Sequence, residues 1–285
     1  MASASTSAPR ITICIPHWEV PRYLKICLRS IRQHSRKYNL EVIVVDNGSQ
    51  DGSLEYLRSL DWIRLISRPE ETRDNWPQNC FTALDLGVQE GTGEYYVCMH
   101  TDVFVKSDNW LDPFLEQLEK NPRAAGAGAW KLELANPFYL WQKRVFGYLN
   151  YRIKRALGGR KRHITWKQGH YPRDYCAMYR RQTLLDCEAT FNGKNGWVGG
   201  GCSIFKQLEA AGHEVAVFPV DVMARGIVHV AHGTAAVRTD RPLNHRRAQL
   251  QAERRVAQLF EQPWVRSLEN NSALDAPVKQ AKSAA

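Results

Sequence analysis

Four acidic and imidazole positions stand where they could do chemistry together. Asp46 follows the apolar run Val42-Ile43-Val44-Val45, and Asp102 follows Tyr95-Tyr96-Val97-Cys98-Met99 by way of His100 and Thr101. A carboxylate just beyond a buried strand can accept hydrogen bonds from a nucleobase or ribose, or hold a divalent cation against a diphosphate. Far along the chain, Val228-His229-Val230-Ala231-His232-Gly233 offers two imidazoles that could close a metal shell. Each position has a plainer alternative. Asp46-Asn47-Gly48 can serve only as a strand-to-helix turn, Asp102 as a helix N-cap, and a late histidine as a structural residue. Their order, and their shared place after apolar runs, joins them.

The elements that must position them alternate along the first half. Residues 11–15 form a β-branched run stopped by Pro16, which predicts a buried strand. Leu24, Cys27, Leu28 and Ile31 recur at helical spacing among Arg and Lys, so an amphipathic helix follows. Residues 41–45 predict a second strand, and Asn47 to Ser53 is turn chemistry leading to a helix with Leu54 and Leu57. Strands are expected at 63–66 and 95–99, and helices at 80–86 and 108–119. The second half is less regular, with expected strands at 175–179, 215–218 and 227–230 and helices at 204–211 and 246–260. Strand-helix alternation predicts an α/β fold, with a mostly parallel sheet covered by helices on both faces. Ligands of such sheets bind beyond the carboxyl ends of the strands. The residues to inspect are therefore Pro16-His17-Trp18, Asp46-Asn47, Arg68-Pro69 and His100-Thr101-Asp102.

With these motifs assembled, the sequence resembles an inverting glycosyltransferase of family 2 with the nucleotide-sugar-binding fold called GT-A. Ile11-Thr12-Ile13-Cys14-Ile15-Pro16-His17-Trp18 is similar to that family's first strand, which ends in Pro-x-Tyr/Trp. Val45-Asp46-Asn47-Gly48-Ser49-Gln50-Asp51-Gly52-Ser53 is very close to its Val-Asp-Asn-Gly-Ser-x-Asp-Gly-Ser. Asn75-Trp76-Pro77-Gln78-Asn79 is a looser match to the Asn-containing segment before the third helix. The strand leading into His100-Thr101-Asp102-Val103 resembles the one bearing the DxD-type motif. The likeness covers about residues 10 to 235 and is strong only up to Asp102.

The resemblance implies roles. Asp46 would contact the nucleobase, with Pro16, His17, Trp18 and Asn47 around it, and Asn75, Asn79, His100 and Thr101 would complete a nucleotide-sugar site. Asp102 would bind Mn²⁺ or Mg²⁺ beside the diphosphate, joined by His232. His229 competes for that place, although strand alternation could turn it into the core. Residues 10–106 would form the nucleotide-sugar half and 107–260 the acceptor half. The implied activity is transfer of a hexosyl or related sugar from a nucleoside diphosphate sugar to a glycan or lipid-linked acceptor, as in cell-surface polysaccharide or glycolipid synthesis.

One family feature is missing. Inverting transfer needs a base for the acceptor hydroxyl, and the family usually supplies it from a Glu-Asp pair at the start of a helix. Here that stretch reads Trp197-Val198-Gly199-Gly200-Gly201-Cys202, with no carboxylate. The base would come from elsewhere, with Asp174 ahead of Glu188; or the acceptor needs no strong base; or the chain binds sugar nucleotides without transferring them. A nucleotidyltransferase is disfavoured, because Pro16-His17-Trp18-Glu19 stands where a Gly-rich basic signature would be.

Bulk properties bound the rest. The chain has 285 residues, a net charge of +10 and seven cysteines without a CxxC, which predicts reduced thiols in a cytoplasmic protein rather than a zinc site. Residues 1–9 are expected to be disordered and 267–285 a flexible tail, with no signal peptide or membrane span. The segment 138–165 is basic and aromatic. Lys143, Arg144, Arg152, Lys154, Arg155, Arg160, Lys161 and Arg162 fall among Phe138, Tyr139, Trp141, Phe146, Tyr148 and Tyr151, with no acid from 142 to 173. Leu149, Ile153 and Leu157 fall on one helical face, so the segment 141–162 is expected to lie on an anionic membrane surface. The alternatives are a helix packed on the domain and nucleic acid, the latter set aside because no recognition motif accompanies the charge.

Overall fold

The computed structural model describes residues 8–71, 75, 77–132, 137–157, 171–230 and 246–277. In chain order these form β1 (Arg10–His17), α1 (Pro21–His34), β2 (Asn39–Asp46), α2 (Ser53–Arg58), β3 (Arg64–Ser67), α3 (Gln78–Glu90), β4 (Tyr95–Met99), β5 (Val103–Val105) and α4 (Asp112–Lys120). There follow β6 (Ala124–Ala129), α5 (Pro137–Ala156), β7 (Cys176–Arg180), α6 (Arg181–Asp186), α7 (Gly201–Ala210), β8 (Glu214–Phe218), α8 (Val220–Gly226), β9 (Ile227–His229), α9 (Arg246–Phe260) and α10 (Pro263–Asn270), and then a 3-10 turn, Ser272–Asp275.

Seven strands make one sheet in the order β3-β2-β1-β4-β7-β6-β8. Pairs β2/β3, β1/β2, β1/β4 and β6/β8 are parallel, while β7 runs antiparallel to both its neighbours. The expected α/β class and mostly parallel sheet are what the chain forms. Alternation along each central strand explains why both faces are covered. Ile11, Ile13, Ile15, Val42, Val44, Val97 and Met99 enter the core shared with α1 and α4. Cys14, Ile43, Val45, Tyr96 and Cys98 enter the opposite core, with Leu84 of α3 and Ile204 of α7. Strands buried on both faces read as unbroken apolar runs, which is why they were legible in the sequence.

Two strands were not. β5 is three residues long and pairs antiparallel with β9, outside the main sheet. β6 reads Ala-Ala-Gly-Ala-Gly-Ala, a composition poor in strand formers. Its small residues are required by neighbours: a Cβ at Gly126 would lie 2.4 Å from the Tyr179 ring, and one at Gly128 2.7 Å from Pro172.

The expected flexible tail is corrected over residues 267–277. Val265 and Leu268 of α10 and Leu274 of the 3-10 turn are buried in the main core. Arg29 of α1 is itself buried, bonds Asp275 through two guanidinium nitrogens at 3.0 and 2.6 Å, and donates to Leu268 O at 3.1 Å. Tyr56 Oη adds a hydrogen bond to Asp275 at 2.9 Å. The polar Ala/Ser composition misled because three apolar side chains and one ion pair suffice to seat a short helix on α1. Residues 1–7 and 278–285 lie outside the described residues. No described helix is long and apolar enough to cross a membrane.

Candidate active site

Parallel strands bring the chemistry to one edge. β1 and β2 end in register at His17 and Asp46, and Asp46 pairs with Ser67 of β3. β4 ends at Met99 on the same edge, and because β7 is reversed, Met99 pairs with its first residue, Cys176. The His100 N–H donates to Tyr175 O at 3.0 Å. The reversal of β7 therefore delivers Asp174 to the edge that carries His100 and Asp102.

At the β1/β2 end, Asp46 is fully buried; its Oδ2 accepts from the Ser49 N–H at 3.1 Å, while Oδ1 has no partner. His17 is 1% exposed and neither ring nitrogen has a partner. Burial pushes its pKa down to about 4 against the opposing pull of Asp46 and Asp51, so the ring is neutral. Buried polar atoms without partners are costly, and His17 and Asp46 both keep such atoms at this strand end, where a ligand could satisfy them. After Trp18, Glu19 and Val20 both have positive φ (55 and 56°), a strained pair that turns the chain into α1. Glu19 N–H is held by Ser49 Oγ at 2.8 Å. Gly48 is required here: its φ is 75°, and a Cβ would lie 2.9 Å from Glu71 O.

Arg68, just after β3, ties this end together. Its Nη1 donates to Asn47 Oδ1 at 2.8 Å and to Asn79 O at 3.3 Å, and its Nη2 pairs with Glu71. Asn79 is buried and its side-chain oxygen accepts the Cys80 N–H at 2.8 Å, which fastens the start of α3. Asn75 is exposed and lies between residues outside the described set, so it is not brought into this group. Arg68 had been singled out only as a strand-end position.

The second group forms at the end of β4. His100, Asp102 and His229 each offer one ligand atom, all within 4.8 Å of one another. Pairing of Val103 with His229, and the bond from Val230 N–H to Asp102 O at 2.9 Å, bring β9 to this turn. His229 is fixed from two sides: its Nδ1 bonds Leu132 O at 2.8 Å and its ring stacks on Tyr175 at 4.3 Å and 9°. Since a carbonyl only accepts, Nδ1 carries the proton and Nε2 keeps a lone pair. That Nε2 lies 3.5 Å from Asp102 Oδ1, and neither Asp102 Oδ1 nor His100 Nε2 has a hydrogen-bond partner. Burial lowers the His229 pKa despite Asp102, keeping the ring neutral. Lone pairs facing one another across a short gap fit a cation between them. His232 lies outside the described residues; among the described ones the imidazoles beside Asp102 are those of His100 and His229. Thr101 is buried within the same turn.

Asp174 stands at the start of α7. The Gly200 cap has φ 74° and ψ −151°, and a Cβ there would lie 2.4 Å from Asp174 Oδ2. A Cβ at Gly201 would meet Pro172 O at 2.3 Å. The glycines at 200 and 201 are thus needed by the close approach of 172–174. Their carboxylate-free helix start is filled from the side by Asp174. Arg173 Nε is 4.0 Å from Asp174 Oδ1, an indifferent ion pair. Glu188 is exposed beyond α6, whose first residue follows Arg180 at the opposite, Tyr95 end of β4.

A family model described as Glycosyl transferase family 2 matches residues 12–186, well over half of the chain. This chain belongs to glycosyltransferase family 2. The family match includes Asp46, Asp102 and Asp174 and stops before His229. An uncharacterized glycosyltransferase of Haemophilus influenzae is 23% identical over 124 residues, covering 44% of this chain and 37% of that protein. Glycosyltransferase GlyA of Streptococcus pneumoniae is 30% identical over 114 residues, 39% of this chain and 15% of that protein. The chain thus spans little more than a third of the one relative and a smaller share of the other. Among solved structures, the mannosyltransferase PcManGT from Pyrobaculum calidifontis, in complex with GDP-Man and Mn²⁺, aligns with a TM-score of 0.53 at 19% identity, covering 96% of this chain and 77% of that one. Staphylococcus aureus TarS 1–349 aligns with a TM-score of 0.52 at 11% identity, covering 93% and 73%. At such identities these likenesses show a shared fold.

Proposed function

We propose that this family 2 protein transfers a sugar from a nucleoside diphosphate sugar to the hydroxyl of a glycan or lipid-linked acceptor, with inversion, in the cytoplasm. The observation that carries the reading is the cluster of His100, Asp102 and His229 at the carboxyl edge of the sheet, with ligand atoms within 4.8 Å of one another and with His100 Nε2 and Asp102 Oδ1 buried without a partner. Two imidazoles and a carboxylate suit a transition ion such as Mn²⁺ better than Mg²⁺, which takes oxygen ligands almost throughout. Bound there, a divalent ion would act as a Lewis acid toward the diphosphate. Pro16, His17, Trp18, Asp46 and Asn47 receive the base and ribose, with Asp46 Oδ1 the free acceptor. Arg68 holds Asn47 and the start of α3 in place, and Asn79 belongs to the same donor side.

Asp174 takes the proton of the acceptor hydroxyl as that oxygen attacks the anomeric carbon. Support comes from its place: the carboxylate occupies the start of α7, where family members carry a Glu-Asp pair. A positioned base of this kind contributes about 10²–10⁴-fold in rate.

Calorimetric titration of nucleoside diphosphates, with and without Mn²⁺, tests the reading, run beside a transfer assay over a donor panel. Asp102→Asn should abolish the gain in affinity from Mn²⁺ while the protein melts normally. Asp46→Ala should weaken binding of the bare nucleotide more than it weakens the Mn²⁺ effect. Asp174→Asn should bind nucleotide and Mn²⁺ as the wild type does and lose about 10²–10⁴-fold in turnover. Undiminished metal dependence in Asp102→Asn would remove the metal assignment, and a fully active Asp174→Asn would remove the base.

A further inference from the structure

Helix α5 carries an apolar surface that the transfer reading does not use. Phe138, Trp141, Phe146, Leu149, Ile153 and Leu157 are between 49 and 81% exposed. Large apolar side chains at such exposure are exceptional when they adjoin one another, and here they do. At 100° per residue their positions fall within one arc of α5 and its C-terminal turn. Positions 143 and 154, both Lys, border that arc on one side, and positions 144 and 155, both Arg, on the other. Arg152 falls inside the arc and is exposed, with Nη1 3.4 Å from Tyr148 Oη. No Asp or Glu occurs from 134 to 173.

We propose that α5 docks in the plane of an anionic lipid bilayer. Its apolar arc would enter the acyl boundary, and the flanking Lys and Arg would meet headgroup phosphates and carboxylates. Three observations select a bilayer over other occupants. A second copy of the chain would bring two acid-free basic helices against each other, where like charges repel. A soluble polyanion would satisfy the charge and leave the apolar arc in water. A bilayer answers both features at once, with aromatic rings at Phe138 and Trp141, stacked at 5.8 Å, suited to the interface. The helix lies in the connection from β6 to β7. β6 is antiparallel to β7, so it leaves the sheet at the edge where β7 begins, which is the edge bearing Asp174. Docking through α5 therefore holds the site's edge of the sheet close to the lipid surface. The docking does not depend on the transfer reading; the access it gives to lipid-linked acceptors does.

Co-sedimentation of the full chain with vesicles tests the proposal. Wild type should pellet with phosphatidylcholine vesicles containing phosphatidylserine at 0.1 M salt, at least tenfold more than with phosphatidylcholine alone. Binding should fall steeply at 1 M salt, as the Debye length shrinks from about 10 to about 3 Å. Phe146→Ser/Leu149→Ser/Ile153→Ser should lose at least tenfold in binding, and so should Arg144→Gln/Arg152→Gln/Arg155→Gln. Both variants should melt like the wild type and bind nucleoside diphosphate unchanged, which keeps a failure here apart from a failure of the transfer reading. Absent or charge-independent binding by the wild type overturns the proposal. So does full binding by the apolar variant, which would reduce the effect to counterion attraction. A wild-type dimer in light scattering that the apolar variant converts to monomer would assign the face to a second copy instead.

Discussion

His17 shows how burial without hydrogen-bond partners marks a single residue. Its pKa is lowered from 6.5 to about 4 by burial. A group of this kind stabilises the fold fully above its unfolded pKa. Below pH 6.5 the unfolded chain takes up the proton that the folded chain refuses, so stability falls as pH drops from 6.5 to about 4. The loss at the lower end is about 3 kcal/mol. His229, lowered in the same direction, adds to the slope. Denaturant unfolding at pH 7.5 and pH 5 should show the wild type weaker at pH 5, and His17→Gln should flatten that difference. An equal pH slope in the variant would mean that the ring is solvated. The five fully buried thiols behave oppositely: Cys14, for one, is pushed up to about 12, in keeping with inert cysteines.

Among elements, the contact between the turn before β7 and the start of α7 sets where Asp174 stands. Gly200 occupies a backbone region open almost only to glycine, at φ 74° and ψ −151°, and stands against the Asp174 carboxylate. Gly200→Ala should cost about 2 kcal/mol through backbone strain and displace that carboxylate. The expected result is a lower melting temperature together with at least a tenfold loss of turnover, while Mn²⁺-dependent nucleotide affinity persists. If thermal melts and turnover match the wild type, the loop yields freely and Asp174 does not depend on it. The helix start at Gly200 and Gly201 holds no carboxylate of its own, and Asp174, from the turn before β7, stands against it.

For the whole molecule, the C-terminal segment closes the fold over α1. Val265, Leu268 and Leu274 are buried, and Arg29 loses its Asp275 partner if the segment is removed. Burial of three such side chains contributes about 5 kcal/mol, and stranding a buried arginine adds to the cost. Total stability of a domain is about 5–15 kcal/mol. A chain ending at residue 262 should therefore melt far lower or fail to fold, whereas one ending at 277 should melt like the full chain. Equal melting of all three would mean that α10 is not seated in solution.

The sequence by itself determined the parallel half of the sheet and its two strand-end carboxylates. Residues 11–15, 42–45 and 95–99 are apolar on both faces, and a strand buried on both faces declares itself locally. Asp46 and Asp102 follow those strands directly, so their placement needed no long-range information. What only the tertiary structure decided rests on pairings between distant segments. β9 crosses to β5 and sets His229 beside Asp102, 127 residues earlier in the chain, where the sequence placed His232, with His229 as its competitor. The reversed β7 carries Asp174 to the helix start that Gly200 and Gly201 leave bare. β6, made of Ala and Gly, is a strand because it pairs between β7 and β8, where Tyr179 and Pro172 leave no room for a Cβ at Gly126 and Gly128. In each case the deciding contact joins segments from 26 to 127 residues apart, whereas local periodicity registers only which face of one element is apolar.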